Sequence, residues 1–324
     1  MPNPRWNAVA QTTCTTADQP IDLDTFTTWQ HPQAHRIQLI TFHYNPCRFR
    51  RLRDTYFEWL PTLGPMADRL KCYELVFDDD EPEIPGSVVI RGSREKHWLW
   101  QKEAIVNRAH SECDRNIDYF AWLDHDMVPT SPDWLNQAIT QIDQGASAVQ
   151  LGSAITYLDR SRCPIETMAT GAANWLNHQR KRGCPGAAWI ADRHFLDDIG
   201  GFNTHHIVGG GDQSFFDIVT GSPGQHLDQY PDALAHRIRA HTQRAIAHRT
   251  NRQLAYIDQA LLHLWHGDRS KRQYQSRNTI LRDHNFDPTT DVRINHDGIL
   301  EWSSNKPTLH AAIRRYFQRR AEDG

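Results

Sequence analysis

The chain has 324 residues, of which 39% are hydrophobic and 23% charged, and its formal net charge is −3. This is a globular balance, long enough to bury a substantial core as one elaborated domain or two small ones. No apolar run approaches the roughly 20 residues of a membrane helix, and so small a net charge excludes a chain-wide affinity for nucleic acid or anionic membrane, leaving only local basic clusters.

Residues 1–35 are polar and Thr-rich and read as an N-terminal arm that packs onto the body of the domain. Met1 to Pro20 carries no export or organelle signal pattern, so a cytoplasmic protein is expected. Cys14, Cys47, Cys72, Cys113, Cys163 and Cys184 form no C-x-x-C pair, which suits reduced structural thiols. Ordered structure is expected from Arg36. Ile37 to Phe42 reads as a buried strand, broken at Asn45-Pro46 before a helix with Leu52, Tyr56, Trp59 and Leu60 on one face. Further strands are expected at Cys72–Phe77, ending on the acidic run Asp78 to Glu81, and at Val88–Ile90, with a helix from Lys96 to His110. Tyr119 to Leu123 is a continuous apolar run of the kind a central parallel strand needs. Ser131-Pro132 then predicts a helix start, Leu135, Ala138, Ile139 and Ile142 its stripe and Gly145 its stop, before a strand at Ala148–Leu151. This alternation predicts a doubly wound α/β sheet with ligands beyond its C-terminal strand ends, where Asp124 and Asp126 fall. The second half is less regular, with turns at 183–186, 200–201 and 209–211 and a helix from about Pro231 to Thr250. Thr308 to Arg320 predicts a basic amphipathic helix with Leu309, Ala312, Ile313, Tyr316 and Phe317 on its apolar side.

Two carboxylates separated by a single residue, on a turn after a strand, can reach one hard cation and leave its other sites for phosphate oxygens. The pattern occurs three times, at Asp22-Leu23-Asp24, Asp78-Asp79-Asp80 and Asp124-His125-Asp126. Only the last follows a strongly apolar strand inside the α/β alternation.

Trp100 to Glu103 with Asn107, then Tyr119 to Asp126, then Asp133-Trp134, resembles the central part of the GT-A fold glycosyltransferases and their Asp-x-Asp signature. The order continues through Ala187-Ala188-Trp189-Ile190, Ile199 to Asn203 and Gly209 to Gln213. It ends at His263-Leu264-Trp265-His266-Gly267, similar to the late histidine segment that supplies a metal ligand in the galactosyl- and N-acetylgalactosaminyl-transferase branches. The resemblance implies a Rossmann-like doubly wound mixed sheet in a domain at 36–282. Residues 36–155 would form its nucleotide-sugar half and 156–282 a less regular acceptor half, with 283–324 as a C-terminal extension. It also implies Mn²⁺ or Mg²⁺ as cofactor, a nucleotide-sugar donor, UDP-linked first, and transfer to an acceptor hydroxyl. Asp126 is the expected direct metal ligand, with Asp124 on the metal or the donor and His266, or else His263, completing the sphere. Where the family has Gly-Glu-Asp this chain has Gly211-Asp212-Gln213, which makes Asp212 the candidate base of an inverting reaction. Thr41, His43 and Asn45 occupy the nucleoside-contacting position, Asp78 or Asp79 the base edge, and Lys102 a phosphate. Arg269, Lys271, Arg272 and Arg277 would close over the diphosphate.

Other functions fit parts of this pattern. A metal-dependent hydrolase could use His205, His206, His263 and His266 with Asp126. A nucleotidyltransferase would need a glycine-rich loop after its first strand, which Thr41 to Pro46 does not provide, and a carbohydrate-binding protein could use the eleven tryptophans as platforms. The acceptor stays open among a glycan, a protein and a modified DNA base, for which Arg48 to Arg53 and Arg180-Lys181-Arg182 are the basic clusters.

Overall fold

The computed structural model describes residues 19–178, 183–222, 227–248, 253–274 and 276–324. Its first part runs β1 (Ile37–Tyr44), α1 (Arg50–Trp59), β2 (Leu70–Phe77), β3 (Val88–Gly92), α2 (Lys102–Ser111), β4 (Tyr119–Leu123), β5 (Met127–Pro129), α3 (Trp134–Asp143) and β6 (Ala146–Gln150). Then come β7 (Ala154–Leu158), β8 (Pro164–Ala169), α4 (Gly171–Leu176), β9 (Ala188–Asp192), α5 (Arg193–Asp198), α6 (Gly211–Thr220) and α7 (Asp232–His248). β10 (Gln253–Tyr256), β11 (Ala260–His263), α8 (Arg277–Asp283), β12 (Val292–Ile294), β13 (Leu300–Trp302) and α9 (Pro307–Arg319) complete it. None of the described helices is long and apolar enough to cross a membrane.

The central sheet has seven strands in the order β10-β6-β9-β4-β1-β2-β3. It is mixed, because β9 runs antiparallel to both β4 and β6, whereas β1, β2, β3 and β4 are mutually parallel. Side chains alternate along a strand, and here the two sets enter two separate cores. Ile37 and Leu39 of β1 and Tyr119, Ala121 and Leu123 of β4 meet Tyr56 and Trp59 of α1 and Leu135 and Ala138 of α3. Ile40, Phe42, Phe120 and Trp122 meet Ile105 and Val106 of α2, Phe195 of α5 and Phe215 of α6. Burial on both faces explains why β4 reads as an unbroken apolar run and why β1 is interrupted only by Gln38, Thr41 and His43. A third core joins α7, α8 and α9, where Leu309, Ile313, Tyr316 and Phe317 are buried.

Two expected boundaries move. The helix expected from Lys96 starts at Lys102, because residues before it form a loop in which buried Gln101 donates to Leu300 O at 2.8 Å and accepts from its N–H at 2.9 Å. Ser131 does not cap α3, whose N-cap position is Asp133; the Ser131 N–H instead donates to Gln259 Oε1. The described part of the N-terminal arm packs inward. Thr28 Oγ1 donates to Thr62 O at 2.9 Å and accepts from Trp134 Nε1 at 2.9 Å.

A second sheet, β5-β11-β7-β8, is what carries the C-terminal half to the end of β4. After Leu123 the chain turns through Asp124-His125-Asp126 and enters β5, which pairs antiparallel with β11 so that Met127 stands opposite His263. The Leu264 N–H donates to Asp126 O at 2.8 Å. The acidic turn thus passes from one sheet to the other with β11 as its neighbour.

Candidate active site

Pairing of β5 with β11 puts His263, the last residue of β11, beside Asp126, and the loop after it returns His266 to the same carboxylate. His266 Nε2 lies 2.6 Å and His263 Nε2 3.5 Å from Asp126 Oδ2. The two imidazoles stack with ring centroids 5.2 Å apart and planes 5° from parallel. Both histidines therefore meet Asp126, where the sequence favoured His266 and held His263 in reserve. Among the described residues this trio is the one group of three or more histidine, cysteine and carboxylate side chains whose ligand atoms all lie within 4.8 Å of one another. Asp126 Oδ1 is buried without a hydrogen-bond partner. An unpaired carboxylate oxygen beside two imidazole nitrogens and a second carboxylate oxygen is a donor set that fits a divalent cation.

The trio's electrostatics suit that use. Burial acts to raise the Asp126 carboxyl, but His263, His266 and Arg272 hold it well below the usual carboxylate range. Burial lowers the His263 imidazole to about 3, leaving a nitrogen lone pair available to a cation at neutral pH. Arg272 is buried against both rings, with Nη2 2.8 Å from His266 Nε2 and Nη1 3.3 Å from His263 Nε2. Its guanidinium thus sits at the nitrogens that would ligate a cation.

Asp124 belongs to a different cluster. Expected on the metal or the donor, Asp124 has an Oδ1 that accepts from Lys102 Nζ at 2.8 Å. The same ammonium lies 2.9 Å from Asp212 Oδ1. Lys102 is buried at the start of α2 and Asp212 sits in the first turn of α6, so one buried cation ties two helices to the end of β4. Burial, then repulsion from Asp212 and Asp126, push the Asp124 carboxyl up against the pull of Lys102. Beneath them lies Glu103, whose Oε1 is buried without a partner. Burial, with Asp212 beside it, pushes that carboxyl up to about 8. A Cβ at residue 211 would come within 2.1 Å of Glu103 Oε1, and one at residue 186 within 2.9 Å of Asp212 Oδ2. Gly211 is required by this close approach, since Glu103 Cδ and Cγ would also lie within 2.4 Å of a Cβ there. Gly209 and Gly210, with φ of +86° and +120°, supply the tight turn before α6.

The residues expected at the nucleoside lie in and just after β1 and β2. Thr41 is fully buried and donates to Leu123 O at 2.7 Å, so it ties β1 to β4 and cannot reach a ligand. His43 and Asn45 converge on Glu83, at 2.7 and 3.0 Å from its Oε2, and Asn45 also brackets Phe49. Asp78, at the end of β2, is ion-paired with Arg94 at 2.8 Å, and Asp79 beside it is exposed. Of the expected arginine lid, Arg269 pairs with Glu166 and lies 3.9 Å over the Tyr157 ring. Arg277 lies against the glycine turn, its Nη1 2.9 Å from where a Cβ of Gly209 would stand. In the basic cluster at 48–53, Arg48 pairs with Asp80, Arg51 with Glu58 and Arg53 with Asp54. The second cluster, Arg180 to Arg182, lies outside the described residues.

Three residues outside the expected set also belong to this region. Glu83 organises His43 and Asn45, Glu103 underlies Asp212, and Glu322 reaches His266 Nδ1 at 2.7 Å. Glu103 could have been suspected from its place beside Lys102; nothing local to Glu322 marks it.

No protein-family model matches the chain, and neither does any curated protein. Among solved structures, the fold is similar to glucosyl-3-phosphoglycerate synthase from Mycobacterium tuberculosis bound to Mg²⁺ and UDP. That match has 13% identity and a TM-score of 0.41 over 86% of this chain and 94% of the other. The same enzyme with Mn²⁺, UDP and phosphoglyceric acid matches at 14% identity and a TM-score of 0.39, covering 73% of this chain and 77% of the other. The catalytic domain of Drosophila β1,4-galactosyltransferase 7 with xylobiose matches at 11% identity and a TM-score of 0.37, covering 86% and 98%. At this distance neither residue roles nor substrates carry over to the chain.

Proposed function

We propose that the protein is a metal-dependent glycosyltransferase of the GT-A type, moving a sugar from a nucleotide diphosphate sugar, UDP-linked first, to an acceptor hydroxyl in the cytoplasm. The observation that carries this reading is the convergence of Asp126, His263 and His266 beyond the C-terminal end of β4, with Asp212 held next door through Lys102. The order of motifs from Trp100 to Gly267 supports it as well.

Asp126, His263 and His266 would hold the cation, and two imidazoles in the set favour Mn²⁺ over the harder Mg²⁺. A bound divalent cation supplies Lewis-acid stabilisation of a departing diphosphate. Arg272 and Arg277 add fixed positive charge on the same side, which favours a leaving group that gains negative charge as the glycosidic bond breaks. Asp212 is the base that takes the acceptor proton, giving inversion at the anomeric carbon. Lys102 orients that carboxylate from below and couples its position to Asp124. The acceptor class is a glycan, a protein or a modified DNA base; the ion pairing of Arg48, Arg51 and Arg53 with neighbouring carboxylates weakens the case for DNA.

A second reading, metal-dependent hydrolysis, is favoured by the two-histidine, one-carboxylate set itself. Incubation with UDP-, GDP- and dTDP-sugars and Mn²⁺, followed for nucleotide release with and without chelator, separates the two. Chelator-sensitive release of the nucleoside diphosphate that disappears in Asp126→Ala supports transfer, whereas release of the monophosphate, from cleavage between the two phosphates, supports hydrolysis. No release from any donor, together with metal-dependent cleavage of simple phosphate esters, would replace it with hydrolysis.

A further inference from the structure

Residues after α9 lie far in sequence from every motif above, yet they fold back onto the metal trio. Glu322 is only 2% exposed. Its Oε2 lies 2.7 Å from His266 Nδ1, while its Oε1 accepts from Arg320. The approach is fixed on both sides. Asp323 Oδ1 accepts from the Arg51 N–H at 2.8 Å, and the Asp323 carbonyl accepts from Arg160 Nη2 at 2.7 Å. Gly267, directly after His266, has a φ of +87°, and a Cβ there would stand 2.9 Å from Ala321 O. Ala321 itself adopts a φ of +43°, in the left-handed region that side chains rarely adopt. Tail and histidine loop are thus in backbone contact, and a buried carboxylate is delivered to one particular ring nitrogen.

We propose that Glu322 is a positioning residue of the metal centre, accepting a hydrogen bond from His266 Nδ1–H so that Nε2 faces the cation site as a ligand. This rests on the proposed metal-binding function of Asp126, His263 and His266. A neutral imidazole carries its proton on one nitrogen and its ligating lone pair on the other, so whatever bonds one nitrogen selects the role of the second. An ionised carboxylate can only accept, and Arg320 forms an ion pair with the other oxygen of Glu322, its Nη2 2.5 Å from Oε1. Carboxylate partners of this kind orient the ring and raise its basicity as a ligand, and their removal costs about 10–100-fold in metal affinity. In this chain the partner comes from a segment 56 residues downstream of the ligand it serves. The C-terminal segment is thereby part of the site rather than an appendage to it.

The test is Mn²⁺ binding to the full chain, followed by the loss of the free Mn²⁺ EPR signal, with the visible spectrum of the Co²⁺ form as a second readout. Glu322→Ala is expected to weaken Mn²⁺ about 10–100-fold and to shift the Co²⁺ bands, with thermal melting recorded alongside. Glu322→Gln retains an acceptor oxygen for Nδ1–H without the charge. It is expected to fall between wild type and alanine in affinity and to keep the wild-type Co²⁺ bands, and it carries the test if the alanine variant does not fold. Both variants binding Mn²⁺ within about twofold of wild type would overturn the role of Glu322 while leaving the metal site standing. Wild-type protein that binds neither ion would overturn the metal site and the role of Glu322 together.

Discussion

Asp124 and Asp126 stand two residues apart on one turn yet answer to different partners: Asp124 Oδ1 accepts from Lys102 Nζ at 2.8 Å, whereas Asp126 Oδ2 lies 2.6 Å from His266 Nε2. The turn crosses from the central sheet to β5, so its two carboxylates point into two clusters. Their substitutions are expected to separate. Asp126→Ala removes a direct ligand and should weaken Mn²⁺ by more than the roughly 10–100-fold of an outer partner. Asp124→Asn should leave Mn²⁺ affinity within a few-fold of wild type while lowering activity through Lys102 and Asp212. Calorimetric titration with Mn²⁺ decides it, and equal losses in both variants would place both carboxylates on one cation.

Arg272 gives a prediction in which binding and turnover move in opposite directions. Its guanidinium lies 2.8 Å from His266 Nε2, an atom the cation would need. Replacing it by methionine removes a competing positive charge from a buried site, where such repulsion is only weakly screened. Mn²⁺ affinity in Arg272→Met should rise, by about 3- to 10-fold for roughly 1 kcal/mol of relieved repulsion. Sugar transfer should fall by about 10²-fold or more, because a cationic partner of the leaving diphosphate is lost. A variant that loses metal affinity instead would mean that Arg272 supports the ligands rather than competing with the ion.

Much of the frame was legible because burial is legible. β4 is a run of apolar residues packed on both faces, β1 and β2 are mostly apolar with Gln38, Thr41, His43 and Glu74 buried among them, and α9 buries Leu309, Ala312, Ile313, Tyr316 and Phe317, the five residues its period selects. The antiparallel insertion of β9 was not, since Ala188 to Asp192 carries no mark of strand direction and its place between β4 and β6 depends on a crossover. In the site, Asp126 with His266 could be read from motif order. The separation of Asp124 from Asp126 could not, because it arises from the pairing of β5 with β11. Thr41 shows the converse: a polar residue at a strand's end looks like a ligand contact, but its hydroxyl is spent on Leu123 O. Glu322 was invisible for the simplest reason, that nothing local to a polar tail says which histidine it will meet.

Lys102 holds two carboxylates with one buried ammonium, at 2.8 and 2.9 Å. Lys102→Met should therefore destabilise the protein by about 3–5 kcal/mol in urea titrations, since it leaves two crowded carboxylates without their cation. Asp212→Asn should be much milder in stability, because Asp124 still pairs with the lysine. Its effect belongs to the chemistry: transfer should drop by about 10²–10⁴-fold while donor binding persists. Unchanged transfer in Asp212→Asn would remove it from the base role, and an unchanged urea midpoint in Lys102→Met would mean that the buried triad contributes little to folding.

Glu103 makes stability depend on pH in a direction opposite to that of an ion-paired acid. Its carboxyl is pushed from a usual value of 4.5 up to about 8, chiefly by burial. Below the unfolded value the side chain is protonated in both states and contributes no slope. Between about 4.5 and 8 the folded state keeps a proton that the unfolded chain has released, so unfolding becomes easier as pH rises. The slope from this one group is at most about 1.4 kcal/mol per pH unit, and it ends once the folded carboxyl also ionises. Glu103→Gln resembles the protonated acid in shape and cannot ionise, so it should match wild type near pH 4.5 and become progressively more stable than wild type toward pH 8. Urea denaturation of both proteins at half-unit steps across that window measures the divergence. Parallel curves would show that Glu103 is ionised in the folded protein at neutral pH, with Lys102 as its counter-ion.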